Sequence, residues 1–363
     1  MRAAAARADY DRDRSEPPPR PAPRLPRHAL ENEMTMHAWL CESTTGPAEL
    51  RWAELPLPAP GPGEVRLAVH AASLNFPDLL IVEGRYQVKP PLPFVPGAEF
   101  AGIVEAVGAG VDGLHPGDAV AALGSTGGFG THACVKAAAL MPLPPGFALR
   151  DAAAFAFTYG TVHHALIDRG ALQPGETVLV LGAAGGIGTA AIQVAKAAGA
   201  VVIAAASNAE KCALCTRLGA DPAIDYGSTD LRDALKAATG GRGVDVVLDP
   251  VGGLLAEAAF RSIAWRGRHL VVGFADGRIP ALPWNLPLLK GAAIVGVFWG
   301  DFVKREPQAN QRMMATLAEL YARGLVKPVI EALLPLSRLH QAYARLAGRQ
   351  VLGKLVLVPD ALL

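Results

Sequence analysis

Cysteine is scarce in this chain, and long apolar runs are missing from it. Four cysteines in 363 residues are too few for a disulfide framework, which favours a reduced protein, expected in the cytoplasm. The most apolar stretch, residues 190–206, is interrupted by Gln193 and Lys196, so it falls short of the roughly 20 apolar residues that a membrane-spanning helix needs. Neither charge dominates, since 34 basic residues stand against 33 acidic ones. We therefore expect neither a membrane nor a nucleic acid as a partner.

The first 33 residues differ in composition from the rest of the chain. They contain seven Arg, six Asp or Glu and six Pro, with almost no large apolar side chains. Such a segment cannot bury enough surface to offset the entropy cost of ordering it, so we predict a disordered N-terminal extension over residues 1–33. It lacks the apolar centre of a secretory signal, and its acidic residues are unlike those of a transit peptide. Translation that starts at Met34 or Met36 explains the segment better than a functional tail does.

The folded part of the chain is long enough for two domains, and its composition changes midway. Residues 34–150 contain 14 prolines, whereas residues 151–363 contain 10. Short apolar or alternating segments between Pro and Gly predict strands, here over residues 64–72, 99–107, 119–123 and 132–135. We interpret this part as an irregular, partly open β-barrel.

Strands and helices alternate after residue 170. The predicted strands cover residues 177–181, 200–205, 223–226, 244–249, 269–274, 294–298 and 353–358. The predicted helices include residues 188–198, 208–218 and 307–323. Continuous apolar strands that alternate with helices indicate a parallel sheet covered on both faces, so the fold class is α/β.

A glycine-rich turn, Gly182-Ala-Ala-Gly-Gly-Ile-Gly188, follows the first of these strands. Gly185 and Gly186 let a pyrophosphate approach the backbone, and Gly188 lets the following helix pack on the strand, so that its N-terminal N–H groups bind the anion. Ala183 replaces the first glycine of the usual dinucleotide motif. A tight turn without a ligand is the alternative, but the surrounding β-α-β pattern favours a dinucleotide site.

The end of the second strand favours NADPH over NADH. An NAD site usually has an Asp or Glu there, whereas this chain has Ala-Ala-Ser-Asn at residues 205–208. Ser207 can donate a hydrogen bond to a 2′-phosphate, and Lys211 can supply charge. Alternatively, Ser207 and Asn208 only cap the second helix and Lys211 faces solvent.

These motifs resemble the zinc-independent quinone oxidoreductase (zeta-crystallin-like) group of the medium-chain dehydrogenase/reductase superfamily, over nearly all of residues 36–363. The match rests on the glycine-rich turn with Gly175, Glu176, Gln193 and Lys196, and on the segments 75–78, 93–99, 116–118, 273–274 and 353–354. The resemblance implies a GroES-like β-barrel catalytic domain over 34–155 and 300–363, a Rossmann cofactor domain with a doubly wound parallel sheet over 156–299, and a homodimer. We expect the dimer to form through an exposed apolar edge strand at residues 293–298.

The resemblance also implies the residues of the site. We predict Asn75 and Tyr86 as catalytic residues that face the cleft. The predicted cofactor-binding residues are Thr158, Ala184, Gly185, Gly186, Ile187, Ser207, Lys211, Tyr226, Val251, Gly273, Phe274, Val297, Phe298, Trp299 and Lys354.

No metal is expected. Zinc-dependent relatives have a thiolate and an imidazole where this chain has Asn75 and Ala98, and their four-cysteine lobe has no counterpart here. Cys212 and Cys215 fall in a predicted helix without a second pair, which favours a structural role. Adjacent His163 and His164 diverge by about 100° on a helix and cannot share an ion.

A quinone or activated enone is electron-poor enough to accept hydride without a Lewis acid. Asn75 is then a donor to the acceptor oxygen, and Tyr86 either stacks on the acceptor, donates a proton, or only covers the barrel. Leu80 replaces a Tyr found in many members of the group. Further candidates near the reacting atoms are Asp78, Thr158, Tyr159, Trp284, Phe298 and Trp299.

The acceptor is therefore predicted to be a quinone or an activated alkene. Two alternatives stay open at this point. One is an enoyl or enoyl-thioester reductase on the same scaffold, and the other is a non-enzymatic NADPH-binding protein.

Overall fold

The structure is a computed structural model that describes residues 34–124 and 126–363. The predicted disordered extension, residues 1–33, lies outside this part of the chain. Residues Thr35–Leu363 form one compact unit.

Strands from the two ends of this unit form a mixed sheet, in which one strand pair is parallel and the others are antiparallel. Its order is β14-β15-β3-β4-β5-β7, with β6 also paired to β3, and β1 pairs separately with β2. In β3, Val65, Leu67 and Val69 alternate into the core with more exposed neighbours, as expected for a strand with one buried face. The strands are β1 (Thr35–Leu40), β2 (Arg51–Pro56), β3 (Glu64–Ser73), β4 (Glu99–Val107), β5 (Ala119–Leu123), β6 (His132–Lys136), β7 (Leu140–Pro142), β14 (Ile330–Pro335) and β15 (Lys354–Val358).

A second sheet is parallel throughout, in the order β10-β9-β8-β11-β12-β13. Strand β8 is apolar from Val178 to Leu181 because both faces are covered: Val178 and Val180 pack into one core cluster, and Leu179 packs into another. This confirms the predicted doubly wound arrangement. The strands are β8 (Thr177–Leu181), β9 (Val201–Ala206), β10 (Ala223–Asp225), β11 (Val244–Asp249), β12 (Ile263–Val271) and β13 (Ala293–Gly296).

Helices cover both faces of the parallel sheet and connect the two sheets. None of the helices in the described residues is long and apolar enough to cross a membrane. The helices are α1 (Phe76–Val82), α2 (Leu149–Ala152), α3 (Ala156–His163, continued by a π-helical turn), α4 (Gly186–Ala197), α5 (Ala209–Arg217), α6 (Leu231–Ala238), α7 (Gly253–Arg261), α8 (Asn285–Lys290), α9 (Trp299–Arg305), α10 (Pro307–Ala322) and α11 (Leu339–Ala347).

Several predicted element boundaries were wrong by a few residues. β12 begins at Ile263 rather than at residue 269. The first half of the strand is polar around Arg266, which has a φ of +63°, so a hydrophobicity pattern does not predict a strand there. β12 also ends at Val271 and β13 at Gly296. Residues 273–274 and 297–298 therefore lie just beyond the carboxyl ends of the two strands. The boundaries of the two domains stay a prediction.

The order of the parallel sheet positions the site. The chain moves outward from β8 through β9 to β10 and then returns to β11 on the other side of β8. In sheets of this kind, a crevice forms outside the carboxyl ends of the strands at the point where the order reverses. The glycine-rich turn follows β8 and therefore lies at this crevice.

Candidate functional site

The turn between β8 and α4 needs its glycines for two different reasons. A Cβ on Gly188 would lie 2.4 Å from the carbonyl oxygen of Gly182, so helix and strand approach too closely for a side chain there. A Cβ on Gly185 would meet only the same oxygen, at 3.5 Å. The fold alone thus explains Gly188, whereas Gly185 leaves open space beside the N-terminus of a twelve-residue helix. The first N–H groups of that helix, including those of Gly186 and Ile187, have no acceptor within the helix.

The C-terminal segment of the chain lies against this turn. Gly353 forms a parallel bridge with Gly185, and its N–H donates to the carbonyl oxygen of Ala184 at 2.7 Å. The next residue, Lys354, covers Gly186 so closely that a Cβ there would lie 2.7 Å from the Lys354 Cδ. The Thr158 methyl group approaches the same position to 3.3 Å. The structure therefore brings together the predicted cofactor residues 158, 184–187 and 354.

A cationic cluster lies at the carboxyl end of β9. The Lys211 Nζ donates to the Ser207 Oγ at 3.0 Å and to the carbonyl oxygen of Arg349 at 2.9 Å. Tyr226 is half-buried beside them, and burial raises the pKa of its hydroxyl while a hydrogen bond with Ser207 opposes the rise. The structure thus joins the predicted residues 207, 211 and 226. It adds Arg349, whose guanidinium reaches Asp276 at 3.4 Å.

The capping interpretation of this strand end is correct for Asn208, whereas Lys211 does not face solvent and is half-buried. The Asn208 side chain accepts from the backbone N–H of Lys211 at 2.9 Å and caps α5, while the side chain of Lys211 turns back to Ser207. Arg217 lies at the opposite end of the same helix and is exposed. The cap and the cationic cluster are therefore separate features.

The remaining predicted cofactor residues follow the other strands of the sheet. Val251 follows β11, and a Cβ on Gly182 would lie 2.8 Å from its Cγ2. Phe274 and Phe298 are exposed, while Trp299 is buried against Phe157 with its ring centroid 6.1 Å away. The carboxyl ends of parallel strands meet at one edge of a sheet. Val251, Gly273, Phe274, Val297 and Phe298 are therefore on the same edge as the glycine-rich turn, whereas the Trp299 ring packs in the core.

A buried polar cluster faces the turn from the first sheet. We call it the Asn75 cluster; it consists of Ser73, Asn75, Asp78, Glu99 and Lys354, all at most 5% exposed. The Lys354 Nζ donates to the Asn75 Oδ1 at 2.5 Å, and the Asn75 Nδ2 donates to Ser73 at 3.2 Å and to Glu99 at 3.1 Å. The Glu99 Oε2 also accepts from the Ser73 hydroxyl at 2.6 Å and lies 3.6 Å from the ammonium.

Asp78 connects this cluster to the backbone through hydrogen bonds. Its carboxylate accepts from the backbone N–H groups of Asn75 and Ala98 at 2.8 and 3.0 Å. Burial raises the pKa of Asp78 to about 7, although both hydrogen bonds and the charge of Lys354 oppose the rise. Tyr86 is half-buried nearby, and burial, followed by the charge of Asp78, raises the pKa of its hydroxyl. Asp78 is thus hydrogen-bonded to Asn75 and acts on Tyr86 through its charge.

Other candidates lie elsewhere. Tyr159 is fully buried and stacks on Phe155, with ring centroids 4.5 Å apart. Trp284 is 84% exposed. Glu99 and Ser73 are not among the predicted site residues, although Glu99 ends the segment 93–99, because only the pairing of β3 with β4 brings them together. Arg349 carries no local signal in the sequence.

No group of three or more His, Cys, Asp or Glu is arranged to hold a metal ion in residues 34–124 and 126–363. Cys212 and Cys215 lie on α5, and burial raises the pKa of Cys215 to about 12. His164 pairs with Asp168 at 2.8 Å rather than with its neighbour His163.

The turn and the cationic cluster fit a phosphorylated dinucleotide. The open space at Gly185 and the N-terminus of α4 suit a pyrophosphate, and Lys211 with Arg349 suits a further phosphate. Val251, Phe274, Val297 and Phe298 add apolar side chains at the same edge of the sheet.

Known protein families match both parts of the chain. Residues 61–145 match the family model described as alcohol dehydrogenase GroES-like domain, and residues 186–319 match the one described as zinc-binding dehydrogenase. Quinone oxidoreductase-like protein 2 of Rattus norvegicus is 39% identical over 298 residues, which are 82% of this chain and 85% of the relative.

Solved structures agree with these matches. A quinone oxidoreductase of Pseudomonas syringae pv. Tomato superposes with a TM-score of 0.82 at 31% identity, over 90% of this chain and 100% of that one. Mycobacterial Rv1454c complexed with NADPH superposes with a TM-score of 0.83 at 30% identity, over 89% and 100%. The GroES-like and Rossmann folds predicted from the sequence are thereby confirmed. By this shared fold and sequence, the chain is an oxidoreductase of the medium-chain dehydrogenase/reductase superfamily and belongs to its quinone oxidoreductase-like group.

Proposed function

We propose that this chain transfers hydride from NADPH to a quinone or a similar electron-poor acceptor without zinc. The observation that carries the proposal is the Asn75 carboxamide, which Lys354 and Glu99 hold where zinc-dependent relatives have a thiolate. A neutral amide is a poor zinc ligand but a good hydrogen-bond donor. The names of the rat relative and of the Pseudomonas structure support a quinone as the acceptor.

Bound NADPH supplies a hydride, and with one proton from solvent this converts a quinone into a hydroquinone and leaves NADP⁺. The residues of the chain orient the reactants. The turn at Gly185 and Gly186 binds the pyrophosphate, and Phe274 and Phe298 give the reacting ring an apolar environment. Because the anion formed by hydride addition to a quinone is delocalised, a hydrogen bond from Asn75 is sufficient stabilisation and no Lewis acid is needed.

The choice of NADPH rests on the cationic cluster. Lys211 and Arg349 supply charge for a 2′-phosphate, and residues 205–208 at the end of β9 include no carboxylate to hold the ribose hydroxyls of NADH. The NADPH in the crystals of the mycobacterial relative supports the same choice.

We further propose that two copies of the chain associate through β13. This strand is at the edge of the parallel sheet, and Ile294 in it is 42% exposed. Trp284, Leu288 and Leu289 nearby are each more than two-thirds exposed. An unpaired apolar edge promotes aggregation unless another strand covers it, and a two-fold axis lets β13 pair with its own copy.

The experiment is steady-state oxidation of NADPH, followed at 340 nm, with quinones, activated enones and enoyl thioesters as acceptors. We expect turnover with quinones, unchanged after dialysis against a zinc chelator, in protein with far less than one zinc per chain. Turnover with enoyl thioesters alone would favour the reductase alternative. Activity that disappears with the chelator and returns with zinc would refute the metal-free proposal.

A further inference from the structure

Lys354 is a buried cation whose contacts are all within the site. Its side chain is 6% exposed, and its Nζ donates to the Asn75 Oδ1 and to the carbonyl oxygen of Leu74. Glu99, which is 3.6 Å away, supplies the compensating charge. A buried charge is costly unless it is paired and hydrogen-bonded. Here Glu99 compensates the charge of the ammonium, and the hydrogen bonds of the ammonium go to Asn75 and Leu74 inside the site.

These contacts allow only one orientation of the Asn75 carboxamide. An ammonium group can only donate and a carboxylate can only accept, so Oδ1 must face Lys354 and Nδ2 must face Glu99. Rotation of the amide by 180° would place N–H against ammonium and oxygen against carboxylate. Lys354 and Glu99 together therefore fix which way the Asn75 N–H groups point.

One N–H of Asn75 is left over by this arrangement. Its two acceptors, the Ser73 hydroxyl and the Glu99 carboxylate, are themselves 2.6 Å apart, which places them roughly 50° apart as seen from Nδ2, whereas the two N–H bonds of a planar amide diverge by about 120°. One N–H that points between the two acceptors can therefore serve both of them. Within the described residues Nδ2 has no third acceptor, so this sharing leaves the second N–H available.

We propose that Lys354 is a positioning residue that fixes and polarises the Asn75 carboxamide, so that the second N–H of Asn75 meets the acceptor oxygen as it gains negative charge. This inference rests on the proposed function. Because hydrogen bonds in a chain strengthen one another in a low dielectric, the ammonium on Oδ1 makes the opposite N–H a better donor. Lys354 thereby contributes positive charge to the reaction without touching the acceptor.

A different role follows from the contact of the Lys354 stem with Gly186. If the ammonium instead binds the pyrophosphate, Lys354→Met should weaken NADPH binding and leave kcat unchanged. In our proposal, Lys354 meets the cofactor site only through the stem that packs on Gly186, which methionine keeps. Lys354→Met therefore lowers kcat about ten- to a hundredfold, because the amide loses its fixed orientation, and changes the Kd of NADPH by less than about twofold.

A double-mutant cycle tests whether Lys354 acts through Asn75. We expect Asn75→Ala to lower kcat by about a hundredfold. Adding Lys354→Met to Asn75→Ala should then cause no further loss beyond about twofold, since the target of Lys354 is gone. Multiplicative losses would overturn the proposal, because they would mean that Lys354 acts on the reaction independently.

Removal of Lys354 leaves the charge of Glu99 buried without its partner, so the single variant risks misfolding. The pair Glu99→Gln with Lys354→Met keeps the cluster neutral, and we expect in it the same loss of kcat. A return to the activity of the native protein would contradict the proposal.

A second readout does not depend on activity. In ¹⁵N-labelled protein, the side-chain amide signals of Asn75, assigned by their loss in Asn75→Ala, should exchange with solvent at least about tenfold faster after Lys354→Met. Unchanged exchange would overturn the positioning role. If the native protein reduced no acceptor but this exchange still rose, the proposed function would fail while the positioning of Asn75 by Lys354 would stand.

Discussion

Gly353 and Gly185 pair across the boundary between the two sheets, and Gly353 donates its N–H to the carbonyl oxygen of Ala184 at 2.7 Å. The start of β15 is thus fastened to the turn that follows β8. Since Lys354 comes next in the chain, this bridge also sets how far its side chain reaches. The same few residues therefore connect the proposed phosphate site with the proposed acceptor site.

Lys211→Ala should weaken NADPH binding and leave NADH binding nearly unchanged. A charge-assisted hydrogen bond contributes roughly 1.5–3 kcal/mol, which corresponds to about ten- to a hundredfold in Kd. Titration of both cofactors into both proteins measures the effect. Arg217→Ala is the matched control, because it removes the same charge from the far end of α5. Equal weakening of NADPH binding and NADH binding would mean that Lys211 acts by stabilising α5 instead.

Gly185→Ala and Gly188→Ala should separate ligand binding from folding. The Gly185 backbone has a φ of −83° and ψ of 177°, which alanine accepts, and its added Cβ would meet no atom closer than 3.5 Å. We expect stability within about 0.5 kcal/mol of the native protein and NADPH affinity reduced at least about tenfold. In Gly188→Ala the added Cβ clashes with backbone, which should cost about 1–3 kcal/mol of stability. Thermal unfolding and cofactor titration distinguish the two, and unchanged affinity in Gly185→Ala would argue against the phosphate site.

Asp78 should make the protein less stable as pH rises from about 4 to about 7. Its pKa is raised from 3.8 to about 7 in the folded state, so in this range the folded protein keeps a proton that the unfolded chain has lost. Stability falls with pH where the folded state binds more protons, and this contribution is constant above about pH 7. The total change is on the order of a few kcal/mol.

Denaturant unfolding at a series of pH values, for the native protein and Asp78→Asn, measures this contribution. Asp78→Asn also alters hydrogen bonds, which changes the free energy of unfolding by the same amount at every pH. The informative quantity is therefore how the difference in free energy of unfolding between the two proteins changes with pH. The free energy of unfolding of the native protein should fall relative to the variant between pH 4 and 7. A difference that stays constant would mean that Asp78 titrates normally.

Ile294→Lys should convert a dimer into monomers. The substitution places a charge on the exposed edge of β13, where pairing with a second copy would bury it. Light scattering at micromolar concentration measures the mass. Val201→Lys, at a residue of similar exposure on the interior strand β9, should leave the mass unchanged. A native protein that is already monomeric would rule out the proposed dimer.

Local patterns in the sequence determined the main elements of this protein. The continuous apolar segment 177–181 and the glycine-rich turn after it predicted β8 and a phosphate site, because strand burial and helix N-termini depend on neighbouring residues. The missing thiolate at Asn75 and the missing acid after β9 were likewise visible without a fold. They suggested the absence of zinc and the preference for NADPH, and both stay predictions.

Only the tertiary structure decided which distant residues complete the site. Glu99 reaches Asn75 because β3 pairs with β4, Arg349 reaches Lys211 across 138 residues of chain, and Lys354 reaches Asn75 across 279. Trp299 is only three residues beyond the end of β13, yet it packs into the core beside Phe157 rather than at the open edge. Periodicity and motifs report contacts between near neighbours in the chain. A buried charge, in contrast, takes its partner from whichever strand the completed sheets place beside it.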